Sequence, residues 1–147
     1  DRDDFLGYSS EKVVKKYFLR GDGVWNIDEM KVWIHNQQFQ TFIAEYTRKD
    51  LGTIEFKKDE LFDINYTRDT VDFPYVTFYS AKNHYWTYLG GHFEWETPTH
   101  DPVALGHTVT IDKKDMLLFF PANLSLITTS KLIYGRDVEF QFKLSKR

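Results

Sequence analysis

The residue types best suited to chemistry are concentrated in the segment HYWTYLGGHFEWE, which runs from His84 to Glu96. This segment places histidines and glutamates around a Gly-Gly pair, and His100 follows shortly after it. Imidazole nitrogens and carboxylate oxygens are common ligands of zinc and related metals. His92, Glu94, Glu96 and His100 are therefore the candidates for a metal site.

The Gly90-Gly91 pair predicts a two-residue hairpin turn, and that turn decides which side chains can meet. It pairs Leu89 with His92, and side chains then alternate between the two faces of the hairpin. One face receives His92, Glu94 and Glu96, and the other receives His84, Trp86, Tyr88, Phe93 and Trp95. Because His84 and His92 lie on opposite faces, they cannot share a metal ion. We predict no metal site and no cofactor.

The aromatic face of this hairpin is the second candidate site, formed by Trp86, Tyr88, Phe93 and Trp95. A small β-barrel can hold one small apolar molecule between such side chains. Aromatic cross-strand pairs also fill ordinary cores, and this chain has 13 Phe, 9 Tyr and 4 Trp. Both interpretations remain open, and the working hypothesis is that the four residues bind a ligand.

Recognisable catalytic motifs are missing from the sequence. It contains no nucleophile elbow, phosphate-binding loop, dinucleotide fingerprint or His-Glu-x-x-His segment. It also contains no cysteine, which excludes thiol catalysis, disulfides and thiolate metal sites. We therefore predict that the protein is not an enzyme.

Composition indicates one ordered domain spanning residues 1–147, with residues 1–8 as a flexible lead-in. Hydrophobic residues make up 41% of the chain and aromatic residues 18%. Basic and acidic residues are interspersed and the net charge is -3, which argues against a nucleic-acid partner.

The pattern of hydrophobic residues predicts a short helix followed by β-strands. In SSEKVVKKYFLRGDG, the apolar residues share one helical face, and Gly21 and Gly23 end the helix. Alternation with a period of two then predicts about eight to ten short antiparallel strands, among them separate strands at 39–47 and 52–57. We expect an all-β, up-and-down barrel, with the proline-containing stretch 96–106 as a surface loop.

Trp33 is a candidate contact residue on the barrel surface. In MKVWIH it alternates with Met30, Val32 and Ile34, so it faces outward if those three face inward. Trp25 and Ile27 have the same parity as Trp33. A β-bulge near Asp28-Glu29 is therefore required to place Trp33 outside, and without it Trp33 is buried.

The short helix, the Gly-x-Trp at Gly23 to Trp25 and the meandering strands resemble the lipocalin and calycin superfamily. More closely, GDGVWNIDEMKVW, GTIEFKKDELFDINYT and DVEFQFKLSKR are similar to segments of the small lipocalin-like lipoproteins of Bacteroidetes. One departure is Glu60, which stands after Asp59 where that family usually has glycine.

This resemblance implies that Trp25 closes one barrel end beneath a basic residue, for which Arg136, Lys143 and Arg147 are candidates. It also implies a lipid anchor upstream of Asp1, on the bacterial outer membrane, and no other membrane contact. Asp69-Thr70-Val71 is similar to an O-glycosylation signal of that phylum.

The sequence and the resemblance together predict a non-catalytic, extracytoplasmic binding protein for a small apolar or aromatic ligand. The alternative is a cell-surface module with a solid core, which contacts an envelope protein or a glycan through residues such as Trp33.

Overall fold

The computed structural model describes residues 11–36, 41–74, 76–121, 133–135 and 138–147. It contains one helix, α1 (Glu11–Leu19), and a short 3-10 turn at Lys58–Glu60. The strands are β1 (Val24–Asn36), β2 (Thr41–Lys57), β3 (Leu61–Tyr66), β4 (Thr70–Phe73), β5 (Val76–Tyr79), β6 (Ala81–Leu89), β7 (His92–Glu96), β8 (Pro102–Ile111), β9 (Asp115–Phe120), β10 (Ile133–Gly135) and β11 (Val138–Lys146).

Eight strands form a closed antiparallel barrel in the order β1-β11-β9-β8-β7-β6-β3-β2. Strands β4, β5 and β10 form a separate three-stranded sheet in the order β10-β5-β4. The predicted all-β, lipocalin-like barrel with a short N-terminal helix is confirmed. Among the described residues, no helix has the length and apolar character needed to cross a membrane.

Helix α1 covers one end of the barrel, called here the helix end. Val14 and Phe18 are buried on its inner face, as the apolar spacing predicts. Gly21 and Gly23 follow with φ of +63° and +73°, in the left-handed region that glycine adopts without strain. A Cβ at Gly23 would lie 2.1 Å from the Phe56 carbonyl oxygen, so the chain can pass into β1 only with glycine there.

The bulge that Trp33 requires is present in β1. Against β11, Ile27 pairs with Leu144 and Glu29 with Lys143, so Asp28 is the extra residue. Trp25 and Ile27 before the bulge are buried, and so are Met30, Val32 and Ile34 after it. The bulge thus keeps two runs of opposite parity facing one core.

One sequence prediction about strands is wrong and a second is only partly confirmed. Residues 39–47 and 52–57 predict separate strands, but β2 is continuous through Gly52, where φ is +124°. The loop predicted over 96–106 is present only at 97–101, because β8 begins at Pro102 and buries Val103. In both places pairing with a neighbouring strand outweighs the local glycine and proline signals.

Candidate functional site

The hairpin of β6 and β7 has the predicted register. Leu89 pairs with His92 and Trp86 pairs with Trp95. Gly90 and Gly91 have φ of +61° and +80°, as a tight turn with two left-handed residues requires. The two faces of this hairpin therefore carry the side chains that alternation assigned to them.

Trp86, Tyr88, Phe93 and Trp95 all lie inside the barrel and none is more than 3% exposed. Each packs against other rings. Trp86 and Phe93 are stacked with centroids 6.2 Å apart, and Trp95 meets Phe62 edge-on at 5.5 Å. Together with Phe18, Phe56 and Phe62 they form the buried aromatic cluster.

Phe18 of α1 packs against the side chains that were predicted to surround a ligand. Its ring centroid lies 5.1 Å from that of Trp86, 5.8 Å from Tyr88 and 5.7 Å from Phe93. It also meets Phe56 at 4.7 Å and is fully buried. Three of the four predicted ligand residues therefore have a side chain of this same chain as their neighbour.

Polar groups at the wall of this cluster are paired. The indole of Trp86 donates to the Leu61 carbonyl at 3.0 Å, and the Tyr88 hydroxyl lies 3.0 Å from the Thr108 hydroxyl. The indole N–H of Trp95 donates to Nδ1 of His84 at 3.2 Å. This bond fixes which nitrogen of the buried imidazole acts as acceptor.

Burial lowers the pKa of His84, against the opposing effects of its hydrogen bond with the Glu96 backbone and of the nearby Asp63 charge. Asp63 is buried as well. Its burial alone would raise the pKa, but the Asn83 N–H at 2.7 Å and the Lys57 ammonium at 2.7 Å outweigh that effect and lower it. Neutral His84 and ionised Asp63 are the forms that this site stabilises.

The opposite face of the hairpin does not assemble a metal site. His92, Glu94 and Glu96 point away from the core, and His100 binds Glu96 with 2.9 Å between Nδ1 and Oε1. The His100 ring also stacks on Tyr85 with 4.1 Å between centroids. Within the described ranges, no three histidine or acidic side chains converge as metal ligands would.

Trp33 lies on the outer surface and is half-buried. Its indole N–H donates to Oε1 of Glu45 at 2.8 Å. Its ring meets Phe119 of β9 edge-on at 5.9 Å, and Phe119 meets His107 of β8 at 5.5 Å. We call Trp33, His107 and Phe119 the outer aromatic face.

Trp25 is fully buried at the helix end, and its indole donates to the Phe18 carbonyl at 3.1 Å. Lys146 lies opposite it in register and donates to the Val24 carbonyl at 2.9 Å. Arg147 instead pairs with Asp22 at 3.1 Å, Lys143 is exposed, and Arg136 lies outside the described residues. Trp25 thus ties α1 to the barrel, with Lys146 as the nearest basic residue in register.

Thr70 of the glycosylation-like triplet is the first residue of β4 and is half-buried. Its hydroxyl lies within 3.4 Å of the Asp72 carboxylate. Modification of Thr70 remains a prediction.

Three of the cavities that open onto the surface are lined by described residues. The first has a volume of about 450 Å³ and lies between residues 48–51 of β2 and residues 67–72. A second, of about 270 Å³, runs beside Tyr85 and Glu94, and a third, of about 520 Å³, lies at the helix end.

The fold and this site define a class: an all-β, lipocalin-like barrel whose interior aromatic residues are packed against its own N-terminal helix. Compared with protein-family models, curated proteins and solved structures, the chain shows no match.

Sequence reasoning missed three parts of the site. Phe18 was assigned to the helix's apolar face, but nothing local shows which barrel residues it meets. Phe119 lies between buried Leu118 and Phe120 in β9, and that alternation was the available signal for an outer face. His107 follows buried Gly106 in β8, where the alternation is weaker. The basic residues around the cavity at the helix end are distant in sequence and converge only through the fold.

Proposed function

We propose that this protein is a non-catalytic contact module that binds a protein partner through the outer aromatic face. The observation that carries the proposal is the outward position of Trp33, which the Asp28 bulge produces. Without the bulge, alternation would bury this tryptophan.

The composition of the outer aromatic face supports a contact role. The solvent side of an antiparallel sheet is ordinarily polar, yet three neighbouring rings lie here. Tryptophan is among the residues most enriched at the energetic centres of protein interfaces. A partly exposed ring on the outside of a barrel has apolar area that a partner can bury.

The rigidity of Trp33 supports the same role. Its indole is held by the Glu45 carboxylate and its ring by Phe119. A side chain already fixed in position loses little conformational entropy when a partner covers it. Trp33 is thus prepared for contact at low entropic cost.

Polar side chains surround these rings. Glu139 of β11 is paired with Trp33, and Gln141 of β11 is paired with Phe119. Lys31 lies 3.8 Å from Glu45. An apolar centre with a polar rim is the usual arrangement of protein interfaces.

Site-specific photo-crosslinking in the source cells tests this proposal. A photoreactive phenylalanine analogue at position 119 is compared with the same analogue at Tyr79, an exposed residue of the separate β4-β5-β10 sheet. We expect a discrete adduct from position 119 alone. The crosslinked protein is then purified, and its affinity is measured for the unmodified chain and for Trp33→Ala.

An affinity loss of tenfold or more for Trp33→Ala, with Tyr79→Ala unchanged, is the expected result. Equal adducts from both positions, or equal affinity of the two variants, would contradict the proposal. Binding to a glycan array that disappears in Trp33→Ala, with no protein adduct, would point instead to a glycan partner.

A second candidate function rests on Phe18. Because this ring comes from α1 and not from the barrel wall, its withdrawal would expose Trp86, Tyr88 and Phe93. We propose as the alternative that a small aromatic ligand displaces Phe18 from the barrel mouth.

Indole can serve as the probe for this alternative. Displacement predicts that indole binds the unmodified chain and accelerates amide hydrogen exchange in residues 11–19. Phe18→Ala should bind indole at least tenfold more tightly, since an apolar cavity replaces the ring. If the unmodified chain binds no indole at its solubility limit, the barrel does not take ligands of this class.

We propose an extracytoplasmic, lipid-anchored location together with this contact role. A lipid anchor upstream of Asp1 would place the outer aromatic face outside the cytoplasm, where an envelope protein can reach it. Metabolic labelling of the source cells with a clickable fatty acid, followed by immunoprecipitation, tests that anchor.

A further inference from the structure

Five basic side chains converge on the third cavity, at the helix end of the barrel. They come from the end of α1, from the β8–β9 turn and from the end of β11: Arg20, Lys113, Lys114, Lys146 and Arg147. We call this cavity the basic basin. Its volume is about 520 Å³, and Asp22 is the acidic residue in its lining.

The turn that carries Lys113 and Lys114 is held in place by its backbone. The Asp112 carboxylate accepts the N–H of Lys114 at 2.7 Å and that of Asp115 at 2.8 Å. The Lys114 carbonyl accepts the Lys146 N–H at 2.7 Å, and the Lys113 carbonyl accepts a bond from Arg20 at 3.2 Å. The ammonium groups of both lysines take no part in this framework.

The charges of the basin are not balanced. Asp22 pairs with Lys146 at 2.9 Å and with Arg147 at 3.1 Å, and these cations hold its pKa far below the usual range. Among the described residues, no carboxylate lies within 4.0 Å of the Lys113 or Lys114 ammonium. The lining of the basin therefore holds one carboxylate and five cations, in a chain whose net charge is -3. The Asp112 carboxylate of the adjoining turn, whose pKa is lowered by two backbone N–H groups and by the charge of Lys114, offsets only part of this excess.

We propose that the basic basin binds phosphate groups. Guanidinium groups match phosphate oxygens in pairs, and ammonium groups act as compact charges beside them. A phosphate group with more than one negative charge is attracted by several cations at once. The attraction is stronger than for a carboxylate, which carries a single charge. The basin is open, so it accepts either a free phosphate or one presented by a lipid headgroup.

Inorganic pyrophosphate tests the free form. Its affinity is measured by calorimetry in low salt for the unmodified chain and for Lys113→Ala/Lys114→Ala, which keeps the backbone framework of the turn. The matched control is Lys49→Ala/Lys82→Ala, which removes two exposed lysines away from the basin. We expect at least a tenfold loss for the basin variant and less than a twofold change for the control.

Vesicle sedimentation tests the membrane form. Phosphatidylglycerol vesicles are compared with phosphatidylcholine vesicles for the same three proteins, at low and high salt. Selective binding to phosphatidylglycerol that requires Lys113 and Lys114 and weakens with salt identifies a lipid headgroup as the source. Pyrophosphate binding without vesicle binding identifies a free phosphate.

Failure of the unmodified chain to bind either pyrophosphate or anionic vesicles would overturn the proposal. An equal loss in the control variant would do so too, because binding would then follow net charge and not the basin.

Discussion

The buried aromatic cluster and the outer aromatic face use the same kinds of side chain on opposite sides of one barrel wall. Phe18, Trp86 and Phe93 are enclosed by other rings, whereas Trp33 and Phe119 keep part of their surface in water. For Trp33 the outward position comes from the alternation of side chains along β1. The extra residue Asp28 shifts that alternation by one position, so odd-numbered residues face inward before it and outward after it. Position relative to the sheet, and not residue type, decides here which aromatic side chains are buried and which stay partly exposed.

The energetics of the two regions differ accordingly. Full burial of a large apolar side chain contributes roughly 1.5–3 kcal/mol to folding. A partly buried ring contributes less and retains apolar area that a partner can cover. Variants that exchange or remove these rings therefore test the comparison directly.

Insertion of one alanine between Met30 and Lys31 should have the largest effect. It shifts the alternation of β1 by one residue, so it would turn Trp33 inward and Ile34 outward, or force the register of β1 to slip. We expect a loss of more than about 4 kcal/mol in the free energy of unfolding, measured by chemical denaturation. The control Asp28→Ala keeps the length of β1 and should change the free energy of unfolding by less than about 0.5 kcal/mol. Similar results for both variants would mean that strand parity does not decide which side chains of β1 are buried.

Phe18→Ala should cost about 3–5 kcal/mol, because it leaves a cavity among rings on every side. Urea denaturation measures the loss, and Lys16→Ala, on the exposed side of α1, is the control. A loss below about 1 kcal/mol would show that α1 is not essential to the buried aromatic cluster.

The stability of the cluster should depend on pH through His84. Since burial lowers its pKa in the folded state, the unfolded chain takes up a proton first as pH falls below about 6.5. The free energy of unfolding should then fall by up to about 1.4 kcal/mol per pH unit below that value.

His84→Gln keeps an acceptor for Trp95 and should flatten this slope, as measured by denaturation at several pH values. Any contribution of Asp63 is confined to lower pH, because its pKa is lowered from 3.8. The control is His100→Gln, which changes an exposed histidine. If the free energy of unfolding of both variants depends on pH as that of the unmodified chain does, His84 is not the group responsible.

Trp33→Ala should cost only about 1 kcal/mol of stability, since it removes one hydrogen bond and one partial ring contact. Trp95→Ala, its counterpart inside the barrel, should cost about 3–5 kcal/mol. Thermal and urea denaturation of the pair test the contrast between the two regions. Equal losses would remove the distinction between them.

Glu60→Gly should have the smallest effect and the opposite sign. Glu60 has φ of +61°, a conformation that costs a residue with a Cβ roughly 1 kcal/mol more than glycine. We expect a gain of about 0.5–1 kcal/mol in the free energy of unfolding, less what the contact with Lys15 at 3.8 Å contributes. Glu60→Ala loses that contact and keeps the strain, so it should give no gain.

Local patterns predicted the hairpin of β6 and β7 fully, because turn type and alternation are set by neighbouring residues. They left two options for Trp33, because a bulge depends on which strands lie alongside. They mistook Pro102–Gly106 for a loop, because Val103 is buried only when β7 is present. The meeting of Phe18 with Trp86 and the assembly of the basic basin depend on contacts between distant segments, which alternation cannot reveal.

The pairing of β1 with β11 sets the order in which this molecule can be completed on the ribosome. Trp25 pairs with Lys146, so the first barrel strand can complete its pairing only after almost the whole described chain has been synthesised. During synthesis one edge of β1 has no partner, although its inner face is apolar. Such long-range closure makes folding slow, and β1 is the segment that a chaperone would be expected to protect until β11 emerges.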